Sequence, residues 1–158
     1  MIRAWLMGPI YGGYWLDPGR SAVCGGKPNA AQRAILEGAA DIVDAICGAI
    51  RPGITPRELG VLAEPVARRV GYFDARETVK LFGHGLGTFF ESHPIPVGDP
   101  GPDPDGTMGY DVPLQPGMVI AAEAFLRGDG VGLAGFEENL IVTTDGAERL
   151  TRTPMRYW

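Results

Sequence analysis

The chain has 158 residues, of which 45% are apolar and 21% charged, the balance of one globular domain with a single core. A net charge of −5, with its lysines and arginines scattered, excludes the basic face that nucleic-acid phosphates require. No apolar run reaches the roughly 18 residues of a membrane helix, and the opening Met1 to Met7 is too short for a secretory core; the expected compartment is the cytoplasm, with neither nucleic acid nor membrane as partner.

In chain order, the apolar stretch from Arg3 to Ile10 followed by Tyr11-Gly12-Gly13-Tyr14 predicts a β-hairpin turning at the two glycines, with Asp17 in reach of its second strand. Ser21 to Cys24 is strand-like and ends at Gly25-Gly26. Asn29, three residues before Gln32, reads as a helix N-cap with a capping box. Ile35, Ala39, Ile42, Ile46 and Ile50 then recur at helical spacing, with Arg33, Glu37, Asp41 and Asp44 between them, so one face is apolar and the helix packs on a core. Pro52-Gly53 stops it. Thr55-Pro56-Arg57-Glu58 opens a second helix by the same device, expected to run to about Val70, with a kink or break at Pro65 because proline removes a backbone donor.

Leu81-Phe82 leads into Gly83-His84-Gly85-Leu86-Gly87, read as a turn in which flanking glycines strip away bulk and leave the imidazole accessible. Thr88-Phe89-Phe90 is a strand leaving it, and the prolines recurring from Pro94 to Pro116 mark a long surface loop. Met118 to Ala122 is an apolar run read as a buried strand that carries Glu123. Leu140 to Thr143 is another, preceded by Glu137 and Glu138, and Asp145-Gly146 turns into a short last strand around Leu150. Cys24 and Cys47 belong to no Cys-x-x-Cys pair and read as reduced, buried small residues.

A carboxylate in a buried apolar strand costs several kcal/mol (about 3–5 for an unpartnered charge) unless something compensates it. Glu123 has that problem, and Glu137 and Asp17 share it. A divalent cation held by the carboxylates and one imidazole would solve all three together; the alternative is ion pairing with arginines such as Arg20.

Four ordered segments carry a resemblance: Tyr11 to Ser21, the Gly83 to Gly87 stretch with Pro94 after it, Pro116 to Glu123, and Glu137 to Gly146. Together they resemble the pita-bread metallopeptidase family of methionine aminopeptidases, Xaa-Pro aminopeptidases, prolidases and creatinase. The resemblance covers nearly the whole chain. It implies an α/β (α+β) pita-bread fold, a curved and mainly antiparallel sheet with helices on one face, as a single domain over residues 1–158. It also implies that the part of the fold normally preceding the first hairpin is missing, which exposes a sheet edge and suggests a homodimer.

By motif the resemblance places the metal ligands on Asp17, His84, Glu123 and Glu137, and Leu6 falls where the family has a further aspartate. It thus implies at most one divalent ion per chain, Mn, Co, Zn or Fe, or none. Glu91 stands where the family has a second, substrate-handling histidine; His93 shares a face with it if the segment is extended and could take that role. The catalytic set is then His84, Glu123, Glu91 and His93. Gly135 replaces an arginine and Ala124 a proline. The activity implied is an Xaa-Pro-type metal-dependent hydrolase acting on small peptides. Two alternatives remain open, a metal-independent creatinase-like amidinohydrolase or lyase on a small molecule, and a silent peptide-binding module.

Overall fold

The structure is a computed structural model that describes residues 1–8, 10–71, 82–89, 102, 104–107 and 109–158. Glu91, His93 and the expected strand residue Phe90 lie outside the described residues. Strands β1 (Ile2–Trp5), β2 (Ile10–Tyr11), β3 (Tyr14–Trp15) and β4 (Gly19–Ala22) come first, followed by helices α1 (Ala30–Ala49) and α2 (Pro56–Arg69). Strands β5 (Gly83–Leu86), β6 (Val119–Gly128), β7 (Gly132–Val142) and β8 (Ala147–Arg149) complete the order.

The main sheet runs β1-β4-β7-β6-β5, with β8 added on β7, and every described pairing is antiparallel. Because side chains alternate across a strand, register decides what each face carries. On β6 the even positions Ile120, Ala122, Ala124 and Leu126 belong to the core together with Ala134, Phe136, Leu140 and Val142 of β7. Helix α1 lies over β6 and β7, and α2 packs against α1. The odd positions face the other way, and Glu123 pairs directly with Glu137 there.

Both helices begin as their sequences dictate. Asn29 accepts from the Gln32 backbone N–H while Gln32 reaches back to the Asn29 N–H, and Thr55 and Glu58 repeat the exchange; each box satisfies two amides that would otherwise lack partners. Helix α2 does not break at Pro65. Pro65 and Val61, one turn earlier, both face solvent, so the carbonyl that loses its partner is open to water.

The first hairpin turns at Gly12-Gly13 as expected, and its two ladders run in different registers. Its outer ladder, β1 on β4, pairs Trp5 with Gly19 and continues as Leu6 N–H to Pro18 O and Gly8 N–H to Leu16 O. At the tip, β2 on β3 pairs Ile10 with Trp15 and Tyr11 with Tyr14, a frame offset by one residue from the outer one. The outer frame sets Met7, not Leu6, across from Asp17. Leu6 is 63% exposed on the opposite face. The histidine segment is a strand rather than a turn, since β5 pairs with β6 over all four of its residues; Thr88 and Phe89 form a bend, not a strand. Cys47 is buried as expected, but Cys24 is exposed, because it follows the end of β4 at the glycine turn.

Candidate metal centre

Three adjacent strands and the segment leading into a fourth each contribute one acid or imidazole to the face opposite α1. In sheet order they are Asp17, just before β4, Glu137 on β7, Glu123 on β6 and His84 on β5. In a flat sheet the outer two would stand about 14 Å apart, three interstrand spacings of roughly 4.8 Å. Yet His84 Nε2 lies 3.8 Å from Asp17 Oδ2 and 3.5 Å from Glu137 Oε1, so the sheet is concave on this side. The same curvature brings the hairpin tip across: Trp15 N–H donates to Gly87 O at 2.9 Å.

Each side chain is held by a local cause. The Asp17 N–H donates to Asn139 Oδ1 and the Asn139 side-chain amide donates back to Asp17 O, at 2.8 and 2.9 Å, which fixes the backbone that presents the carboxylate. His84 Nδ1 lies 3.0 Å from Gly85 O; donation there leaves Nε2 as the ring nitrogen turned toward Asp17 Oδ2 and Glu137 Oε1. Gly83 has φ +119°, and a Cβ on it would stand 1.9 Å from Ala121 O. Its glycine is therefore required by the close β5–β6 approach. The accessibility of the imidazole, the reason inferred from sequence, is not the reason the structure gives, because His84 is buried.

Asp17, His84 and Glu137 each offer a ligand atom within 4.8 Å of the others, and all three are buried. Glu123 stands outside that trio but lines the same cavity of about 370 Å³, with Asp17, His84, Met7 and the Trp5–Phe125 pair. Glu138 faces the helix side, where Arg20 bonds its carboxylate at 2.6 Å. Arg20 thus compensates Glu138 and makes no described contact with the side chains of Asp17, Glu123 or Glu137. Sequence reasoning did not single out Trp5, Met7 or Asn139; each is placed by register, for which no local signal exists.

Burial and mutual contact shift the proton affinities of the cluster. Burial pushes the Glu123 carboxyl up, helped by the neighbouring Glu137 and Asp17 charges against the pull of His84, to about 8. Burial also raises Glu137, against the opposing contacts of His84 and Trp5. Burial disfavours the His84 imidazolium, but Glu137, the Gly85 carbonyl and Glu123 outweigh it and lift its pKa to about 9. The residues fit a divalent cation: two carboxylates and one imidazole converge, and the buried Glu137 Oε1 accepts no hydrogen bond, which is the donor set of a mixed oxygen–nitrogen site.

Both raised pKa values carry a stability consequence. The Glu123 contribution is full below its ordinary 4.5 and is lost as pH rises through about 8; that of His84 is full below 6.5 and lost through about 9. The metal-free protein is expected to melt at falling temperature across this window. Added Mn²⁺, which displaces those protons, should raise the melting temperature more at about pH 8 than at about pH 6. Thermal melts with and without the ion check this, and a pH-independent increment would count against the cluster as its site.

A curved antiparallel sheet backed by helices, with acids and an imidazole gathered in its concavity, defines the class as a pita-bread metallopeptidase fold. The model of metallopeptidase family M24 matches residues 5–144, and the chain belongs to that family. It is 32% identical over 148 residues to an Xaa-Pro dipeptidase of Pyrococcus furiosus, covering 93% of this chain and 38% of the relative. Among solved structures, dipeptidase PepE from Mycobacterium ulcerans superimposes with a TM-score of 0.79 at 25% identity, over 97% of this chain and 38% of that one. The prolidase from Pyrococcus furiosus gives 0.78 at 28% identity, over 96% and 41%. The chain thus spans about two-fifths of the length of these relatives. Among the described residues no helix is long and apolar enough to cross a membrane.

Proposed function

We propose that the chain carries the metal-binding part of an Xaa-Pro dipeptidase-like hydrolase acting on short peptides. The observation that supports this most is the convergence of Asp17, His84 and Glu137 within 4.8 Å, inside a family match that spans the whole site. Asp17, His84 Nε2 and Glu137 would hold the cation, with Glu123 beside them. A bound divalent ion, Mn, Co, Zn or Fe, supplies Lewis-acid polarisation of a carbonyl and a more acidic water. Glu123, which lines the same cavity as Asp17 and His84, is the group of this chain placed to take and return a proton. The stacked Trp5 and Phe125 rings, 5.2 Å apart, give the cavity an apolar wall against which a substrate side chain can rest. Glu91 and His93 remain proposals for the substrate-handling role.

A metal-free reading has one observation in its favour. His84 Nε2 lies 3.5 Å from Glu137 Oε1 and 3.8 Å from Asp17 Oδ2, so a protonated imidazole there would offset these acids without an ion. Hydrolysis of a Met-Pro dipeptide by the purified chain, assayed before and after chelation and after return of Mn²⁺ or Co²⁺, decides between the two. Activity lost on chelation and restored by metal is the expected result; activity untouched by chelation, or no ion bound at all, rejects the metal-dependent reading.

A further inference from the structure

Trp5 stands where an ordinary strand residue would serve, and its surroundings are cut to fit it. Its indole Nε1–H donates to Glu137 Oε2 at 2.6 Å. A Cβ on Gly19, its partner across the β1–β4 ladder, would meet the indole at 2.2 Å. A Cβ on Gly135 would stand 2.4 Å from Phe125 and 2.8 Å from the indole edge. Gly19 thus leaves room for the indole, and Gly135 for the Phe125 ring that stacks on it and for the indole edge; the Arg3 guanidinium lies about 6 Å from both rings. This also bears on Gly135, where the resembled family has an arginine: a side chain there would meet first the Phe125 ring and then the indole edge.

The consequence falls on Glu137. One of its oxygens is engaged by a directional donor while the other, buried and accepting no hydrogen bond, points to His84 and Asp17. We propose that Trp5 is a positioning residue of the cation site, holding Glu137 Oε2 through its indole N–H so that the carboxylate offers a single, oriented oxygen to one cation. The inference rests on the metal-binding reading above. Partners of this kind that bond a ligand's second atom fix its orientation, and their loss costs on the order of 10–100-fold in metal affinity.

The test uses Zn²⁺, a diamagnetic ion, on the full chain. In the wild type, the Trp5 indole proton, identified by its absence in Trp5→Phe, should resonate downfield of those of Trp15 and Trp158, move on Zn²⁺ addition, and lose its displacement in Glu137→Gln. Calorimetric titration should show one Zn²⁺ per wild-type chain and a 10–100-fold weaker affinity in Trp5→Phe. Because Phe fills less of the cradle, a second variant carries 3-benzothienylalanine at position 5, which keeps the ring shape and removes only the N–H. The same loss there assigns the effect to the hydrogen bond rather than to packing. Wild-type affinity in the benzothienyl variant, or an indole proton indifferent to Glu137→Gln, overturns the inference while leaving the metal site standing. No Zn²⁺ uptake by the wild type defeats the underlying reading, and this inference with it.

Discussion

His84→Ala is expected to abolish measurable divalent-cation binding, weakening affinity by more than about 100-fold, since even groups behind the ligands are worth 10–100-fold. His84 is the only imidazole of the described trio, and Nε2 is the nitrogen that faces the acids because Nδ1 is taken by Gly85 O. The variant also strips the positive charge from beside Glu137, Glu123 and Asp17, leaving their buried carboxylates to be met by protons instead. Titration with Mn²⁺ should therefore be run with circular dichroism on the same sample, at a pH where the variant is folded. A folded His84→Ala chain that takes up Mn²⁺ as the wild type does would remove this cluster as the metal centre.

Gly83→Ala should be at least as damaging, by a different route. The residue sits at φ +119°, where L side chains are strained, and the added methyl would stand 1.9 Å from Ala121 O. Strain and overpacking each cost about 1–3 kcal/mol, so a loss on the order of 3–5 kcal/mol is expected. For a chain of this size that is roughly a 10 °C drop in melting temperature or more. The strand cannot yield quietly, because Glu123 N–H donates to Phe82 O at 3.2 Å one step away, and moving β5 moves His84. A Gly83→Ala protein that melts within a degree or two of wild type would show that β5 approaches β6 less closely than described.

The helices and their caps were legible in the sequence because the information is local: Asn29 with Gln32, Thr55 with Glu58, and the isoleucines of α1 at helical spacing. The acids were legible for an energetic reason, since Glu123 and Glu137 interrupt strands that otherwise bury apolar side chains. What escaped was register. A tight turn at Gly12-Gly13 implies that the frame of Tyr11 and Tyr14 continues down the hairpin, whereas the outer ladder is offset by one residue. That single step decides that Trp5 and Met7 face the cavity while Leu6 faces away. The role of Gly83 escaped likewise, because its cause is a carbonyl on a strand far along the chain.

Three of the inward-facing groups come from strands and Asp17 from just before a fourth, and their order across the sheet, Asp17, Glu137, Glu123, His84, is not their order along the chain. While the polypeptide is being synthesised, Asp17 and His84 emerge long before Glu137, and until β7 is made the strands that stand between them in the sheet are incomplete. A growing chain thus offers solution ions only isolated, weak donors. On the metal-binding reading, an ion would be gripped only after the sheet has closed, and the finished cavity rather than the nascent chain would select it.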